Sequence, residues 1–266
     1  MRKRNNLTIP LCLLAVCAGW NLYCGYKWGW GPFRELHDIK VSKLKGNAEA
    51  YAPENVKPLD ASPLSGKHIM FLGSSVTYGA ASKGVSFVDY IALRNKCAIT
   101  KEAVSGTTLV DTKNDSYINR MKKLDRSTAA DMFICQLSTN DATQKKPLGH
   151  ISDNGEYDTS TVAGAIEFII DYARETWHCP VVFYTNPKYE SNEYAAMVSM
   201  LHEIAKVHDI SVIDLWNDTD FNSITDEQRE LFMADPIHPT QAGYLEWWTP
   251  FIENRLYGVA RDEQGD

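Results

Sequence analysis

Five short apolar runs, at 68–72, 97–104, 131–137, 181–184 and 210–215, alternate with stretches of helical periodicity. That alternation limits the fold more than any other feature of the chain. Runs this short and this apolar read as strands buried on both faces. Alternation with helices implies a parallel sheet with right-handed crossovers and helices on either side, a three-layer α/β/α sandwich with five strands. Ser86 and Asp89 form a capping-box pattern that opens a helix over 87–95. Further helices are expected over 117–124, from a cap at Asp158 or Thr159 to Trp177, over 194–207, and over 240–255. The last carries Tyr244, Trp247, Trp248 and Phe251 at helical spacing, the pattern of a core stripe.

The chain has 266 residues, enough for one well-buried domain and an extension. Its organisation reads as a signal peptide or signal anchor over 1–30, a Pro-containing linker or stalk over 31–65 that packs partly on the domain, the catalytic-type domain over 66–258, and a tail over 259–266. Arg2, Lys3 and Arg4 precede an uncharged stretch from 5 to 26, which marks export. Val16-Cys17-Ala18 suits cleavage, whereas the length of the stretch and the residues Trp20, Tyr23, Tyr26, Trp28 and Trp30 suit a membrane anchor with an aromatic belt. Either reading places the domain outside the cytoplasm, secreted or membrane-anchored.

Beyond residue 30 the chain holds 23 basic and 34 acidic residues, a formal charge of −11. A surface that acidic argues against nucleic acid as a partner. Six cysteines show no CxxC and no Cys/His ligand spacing, so no zinc site is expected. Cys97 and Cys179 each precede a strand and are candidates for a disulfide in an exported protein. No Gly-rich phosphate loop and no carboxylate–histidine cluster calls for a cofactor or a metal.

The carboxyl ends of parallel strands point one way, and ligand sites of open α/β sheets lie at that edge. Four segments fall there: Gly73-Ser74-Ser75, Ser105-Gly106, Ser138-Thr139-Asn140-Asp141 and Asp235-Pro236-Ile237-His238. Together they supply what acyl transfer needs, namely a hydroxyl nucleophile, an imidazole base, a carboxylate to orient it, and amide donors for an oxyanion. Taken singly they are less telling. The serines also suit a turn, Asp235 to Pro239 a rigid turn capping the last helix, and Asn140-Asp141 an Asx-turn. The polar stretch 143–158 suits a rim or lid, with His150 as a candidate substrate contact.

With these segments in order as FLGSSVT, VSGTT, LSTND and DPIHP, the chain resembles the SGNH (GDSL-type) hydrolases from residue 67 to about 255. The resemblance implies a flavodoxin-like fold. It implies Ser75 as nucleophile, His238 as general base and Asp235 as its orienting acid, with the oxyanion held by the N–H groups of Ser75 and Gly106 and the side-chain amide of Asn140. Two positions depart from the family. Ser74 stands where Asp is usual, which alters support for the nucleophile, and Ser138 stands where Gly is usual, which narrows the approach to the oxyanion site. The implied activity is a serine esterase acting on small acyl esters, with O-acetylated carbohydrate as first substrate. Transfer to another acceptor, hydrolysis of lipid esters or thioesters, or a silent carbohydrate-binding module on the same fold are the alternatives. The sequence leaves the oligomeric state open.

Overall fold

All five apolar runs become strands of one parallel sheet in the computed structural model, which describes residues 8–29 and 31–262. They are β1 (His68–Gly73), β2 (Ala98–Ala103), β3 (Met132–Gln136), β4 (Val181–Tyr184) and β5 (Ser211–Ile213). Their order, β2-β1-β3-β4-β5, is the flavodoxin-like one. β1 aligns His68 with Ala98 on one side and Ile69 with Met132 on the other. The central strands β1, β3 and β4 are almost fully buried, while edge strand β2 is only partly covered.

Successive strand residues face opposite layers, as the pleat requires. Met70, Leu72, Phe133, Cys135 and Phe183 pack with α5 (Tyr117–Met121), α7 (Val162–Trp177) and α8 (Asn192–His208). Ile69, Phe71, Ile134, Val182 and Tyr184 pack with α4 (Phe87–Asn95) and the C-terminal helix α11, which passes through a wide π-helical turn over Gly243–Trp248 and continues as Thr249–Asp262. Tyr244, Trp247 and Trp248 are buried in that second layer, so the aromatic stripe is core. Because α11 runs to Asp262, residues 259–262 belong to a helix, with Ala260 buried.

The Ser86 capping box is present in both directions. At α7 the cap differs from expectation. The carboxylate of Asp158 is taken up by the amide and hydroxyl of Ser160, so Thr161 caps the helix by accepting from the Gly164 amide. Gly164 is required there, since a Cβ would lie 2.3 Å from the Asp158 carbonyl oxygen.

Cys97 and Cys179 do not pair with each other, and the expected disulfide is corrected. Cys179 belongs to the core on one face of the sheet and Cys97 packs against the core on the other, so the sheet separates them.

Residues Thr8–Trp28 form helix α1. Among the described residues no helix is long and apolar enough to cross a membrane. Arg2, Lys3, Arg4 and Trp30 lie outside the described residues. After α1 the chain makes a turn at Gly31–Phe33, helix α2 (Glu35–Ser42), and three tight turns between Lys45 and Asn55. This segment lies against the domain. Val41 and Asn47 are buried, Tyr90 donates to the Tyr51 carbonyl at 2.7 Å, and Leu64 joins the core beneath α4.

Candidate active site

β1 ends at Gly73, and the chain turns at once into a single helical turn, α3 (Ser75–Tyr78). A Cβ at Gly73 would lie 1.7 Å from the Thr77 hydroxyl, so only glycine lets the turn fold back this tightly. Ser74 is fully buried at the cap position, and Ser75 follows as the first helical residue. The turn is held from below by Gln136 at the end of β3. Its Oε1 accepts from the Ser74 amide at 2.9 Å and from the Thr77 hydroxyl at 2.8 Å. Thr77 is bonded in turn to the Tyr184 hydroxyl at 2.6 Å. The Ser74 hydroxyl lies 3.4 Å from the same Gln136 oxygen, so the support expected at position 74 runs through a neutral amide.

Ser75 Oγ lies 2.8 Å from His238 Nε2. On the far side of the ring, Nδ1 lies 2.9 Å from Asp235 Oδ2. A carboxylate only accepts, so Nδ1 carries the proton and Nε2 is left to accept from the serine hydroxyl. Asp235 Oδ1 also takes the amides of Ile237 at 2.8 Å and His238 at 2.9 Å, so one side chain both closes the turn and aims the imidazole. It does not cap the last helix, because the Gly243 amide bonds to the Thr240 hydroxyl instead. Burial works against the charge on Asp235. The bonds from His238, its positive field, and the amides of Ile237 and His238 outweigh that and hold the carboxyl at about 2.

The loop after β2 brings Gly106 to the same edge with φ +83°, in the left-handed region. α6 (Thr139–Thr143) brings Asn140, whose Nδ2 donates to the Thr107 carbonyl at 2.9 Å. Ser138 is fully buried and caps α6 by accepting from the Asn140 amide, with its hydroxyl directed to Thr107. It does not line the cavity, so the expected narrowing is corrected. Asp141 accepts from the amides of Leu109 at 2.8 Å and Val110 at 3.1 Å, tying α6 to the loop. Burial pushes its pKa up against those two bonds.

Ser75, Gly106, Asn140, Asp235 and His238 therefore line one cavity of about 150 Å³, with Ala80, Ala81 and Ser105. Ser75 is 7% exposed, a recessed hydroxyl. Lys27 and His37, from the segment before the domain, complete the lining. Burial lowers the pKa of His37, opposed by Asp38 and reinforced by Lys40 and His238. A second hollow of about 790 Å³ lies behind Asp235 and Pro236, walled by Tyr189, Met233 and Arg229.

Gln136, Arg120, His37 and Lys27 in this arrangement were not expected from sequence. Gln136 had a signal, since an amide within an apolar strand needs a buried partner. Arg120 also carries weight: it is 6% exposed and donates to the Gly73 carbonyl at 2.8 Å and the Thr107 hydroxyl at 3.0 Å. His37 had none. His150, by contrast, lies in a different hollow with Glu167 and not in the cavity with Ser75. No group of three or more His, Cys, Asp or Glu among the described residues is arranged to hold a metal.

The model of the GDSL-like lipase/acylhydrolase family matches residues 71–245, a span that contains Ser75, Gly106, Asn140, Asp235 and His238. The chain belongs to that family. Solved structures share the fold of this GDSL-like protein. A GDSL-like lipase from Bacteroides ovatus is 20% identical, with 73% of this chain and 99% of that one covered and a TM-score of 0.52. A family two carbohydrate esterase from Clostridium thermocellum, in complex with cellohexaose, is 16% identical over 75% of this chain and 66% of that one, at a TM-score of 0.50. A mutant acetyl-xylooligosaccharide esterase from Geobacillus is 15% identical over 74% of this chain and 94% of that one, also at 0.50. No curated protein matches the chain by sequence. Membership in the family, with esterases among the structural neighbours, supports a hydrolase acting on esters.

Proposed function

We propose that this protein is a serine esterase that hydrolyses short acyl esters through an acyl-enzyme on Ser75, with O-acetylated carbohydrate as its substrate class. The observation that carries the proposal is the line from Asp235 through His238 to Ser75, 2.9 Å and 2.8 Å, in a cavity shared with Gly106 and Asn140. His238 Nε2 removes the hydroxyl proton as Ser75 Oγ attacks the ester carbonyl. The oxyanion forms against the N–H groups of Ser75 and Gly106 and the free N–H of Asn140 Nδ2. His238 then returns the proton to the departing alcohol oxygen. Water, activated by the same nitrogen, releases the acid and restores Ser75.

The carbohydrate assignment is supported by two structural neighbours named for carbohydrate substrates. It is also supported by the 790 Å³ hollow beside Asp235, roomy enough for a sugar attached to an acyl group in the smaller cavity. The basic start and uncharged segment support placement outside the cytoplasm, checked by fractionation and N-terminal sequencing of the product.

A fluorophosphonate probe tests the mechanism. Labelling of wild type at Ser75, lost in Ser75→Ala together with p-nitrophenyl acetate turnover, is the expected result. Folded wild type that takes no label overturns it. Turnover across acetylated oligosaccharides, longer acyl esters and thioesters tests the substrate class, and glycan binding without ester turnover would favour a binding module.

A further inference from the structure

The catalytic cavity is not finished by the family domain. Eight of its lining residues lie within the matched span 71–245, but Lys27 and His37 lie well before it. Those two come from α1 and α2, which meet across the turn Gly31–Phe33. The crossing is close. A Cβ at Gly25 would lie 2.5 Å from the Phe33 carbonyl oxygen, and one at Gly29, where φ is +67°, would lie 3.3 Å from His37 Nδ1. Lys40 Nζ sits over the Tyr26 ring at 5.1 Å, and Lys27 Nζ donates to the Tyr23 hydroxyl at 3.1 Å.

The hairpin is also tied to the pocket wall itself. Asn47, 2% exposed, donates from Nδ2 to the carbonyls of Val41 and of Ala81, both at 2.8 Å. Its Oδ1 accepts from the Gln241 amide at 2.8 Å. Ala81 lines the cavity, and Gln241 lies three residues after His238. Beside it Gly46 fits where a Cβ would lie 2.1 Å from the Leu231 carbonyl oxygen. Three segments thus meet at one buried amide, and the segment carrying His37 is fixed relative to Ser75.

We propose that this N-terminal hairpin gauges acyl length, with Lys27 and His37 closing the cavity so that it accepts acetyl-sized groups and excludes longer chains. The inference rests on the esterase reading and deepens it. A space of about 150 Å³ is benzene-sized, room for about six heavy atoms, which an acetyl group, its ester oxygen and the first carbon of the alcohol nearly fill. Its outer wall is an imidazole and an ammonium, and an extra methylene placed there gains no apolar partner and strips water from both groups.

The test uses the full chain. For wild type, His37→Ala, Lys27→Met and His37→Gln, kcat/KM is measured on p-nitrophenyl acetate, butyrate and octanoate, and the rate of fluorophosphonate labelling at Ser75 is recorded beside it. Wild type prefers acetate. His37→Ala raises the butyrate-to-acetate ratio by about tenfold, the discrimination that a methylene or two commands in a pocket, and Lys27→Met moves it the same way. His37→Gln, which keeps a polar side chain of similar reach, retains the wild-type ratio. An unchanged ratio in both His37→Ala and Lys27→Met, with Ser75 still labelled, overturns the proposal and leaves the esterase reading standing. Wild type that neither takes the label nor cleaves any of the esters overturns both.

Discussion

The side-chain amide of Asn140 donates to the carbonyl of Thr107 at 2.9 Å, and that bond leaves its second N–H facing the cavity that holds Ser75. An amide pinned in this way needs no reorganisation when negative charge develops beside it. Asn140→Ala is expected to lower kcat on p-nitrophenyl acetate by ~10²–10³ with the fold intact. Asn140→Asp should be at least as slow, because a carboxylate cannot donate and repels the oxyanion. An unaltered kcat in the alanine variant would remove Asn140 from the oxyanion hole.

Gln136 carries the second prediction. Its Oε1 serves the Ser74 amide and the Thr77 hydroxyl in a site closed to water. Gln136→Leu keeps the volume roughly but strands the Ser74 amide and leaves the Thr77 hydroxyl only Tyr184, at a cost of about 1–3 kcal/mol for the buried amide left unpaired. Denaturant unfolding should show that loss, and the labelling rate at Ser75 should fall with it as the turn loosens. Full stability in the leucine variant would show that the turn holds itself.

Arg120 spans two of the converging segments with one nitrogen, reaching Gly73 ahead of Ser75 and Thr107 behind Gly106. A second nitrogen reaches the Glu102 carboxylate at 2.9 Å. Lysine cannot reproduce that fork. Arg120→Lys should therefore reduce kcat by about tenfold or more while KM moves little, since it disturbs the spacing of the proposed oxyanion donors and not the outer wall. A variant that loses only KM would place Arg120 in substrate binding instead.

The pH dependence of stability follows from Asp235. Its folded pKa, about 2, lies below the ordinary carboxylate value near 3.9. A depressed pKa means that ionised Asp235 stabilises the fold above the unfolded value, and that this contribution disappears as pH falls through the folded one. Thermal melts of wild type and Asp235→Asn should thus converge between about pH 4 and pH 2. Curves that stay parallel over that window would show that the His238 pairing adds nothing to stability.

The sheet and the convergence of Ser75, His238 and Asp235 were legible because each rests on local patterns. Apolar runs of four to eight residues declare strands, Ser86 and Asp89 declare a helix start, and the strand-end segments are brought together by a parallel sheet whatever lies between them. The α7 cap was misplaced because Asp158 and Thr161 are both good caps, and only the packing of Gly164 decides between them. Lys27, His37 and Asn47 were illegible for a different reason. The partners of Asn47, Ala81 and Gln241, stand 34 and 194 residues away, and nothing in a polar, Pro-containing segment encodes which surface it will lie on. Arg120 likewise stands in sequence like any helix-surface cation, and only its burial shows its five acceptors.

A single buried carboxamide at position 47 fastens together a leading segment, a loop and a helix start. The bond-breaking atoms stand on one side of that knot and the surface that meets the incoming molecule stands partly on the other. If the upstream residues set selectivity as proposed, chemistry and selectivity are separable: the segment ahead of the knot can change while Asn47 keeps hold of Ala81 and Gln241 beside the serine and imidazole.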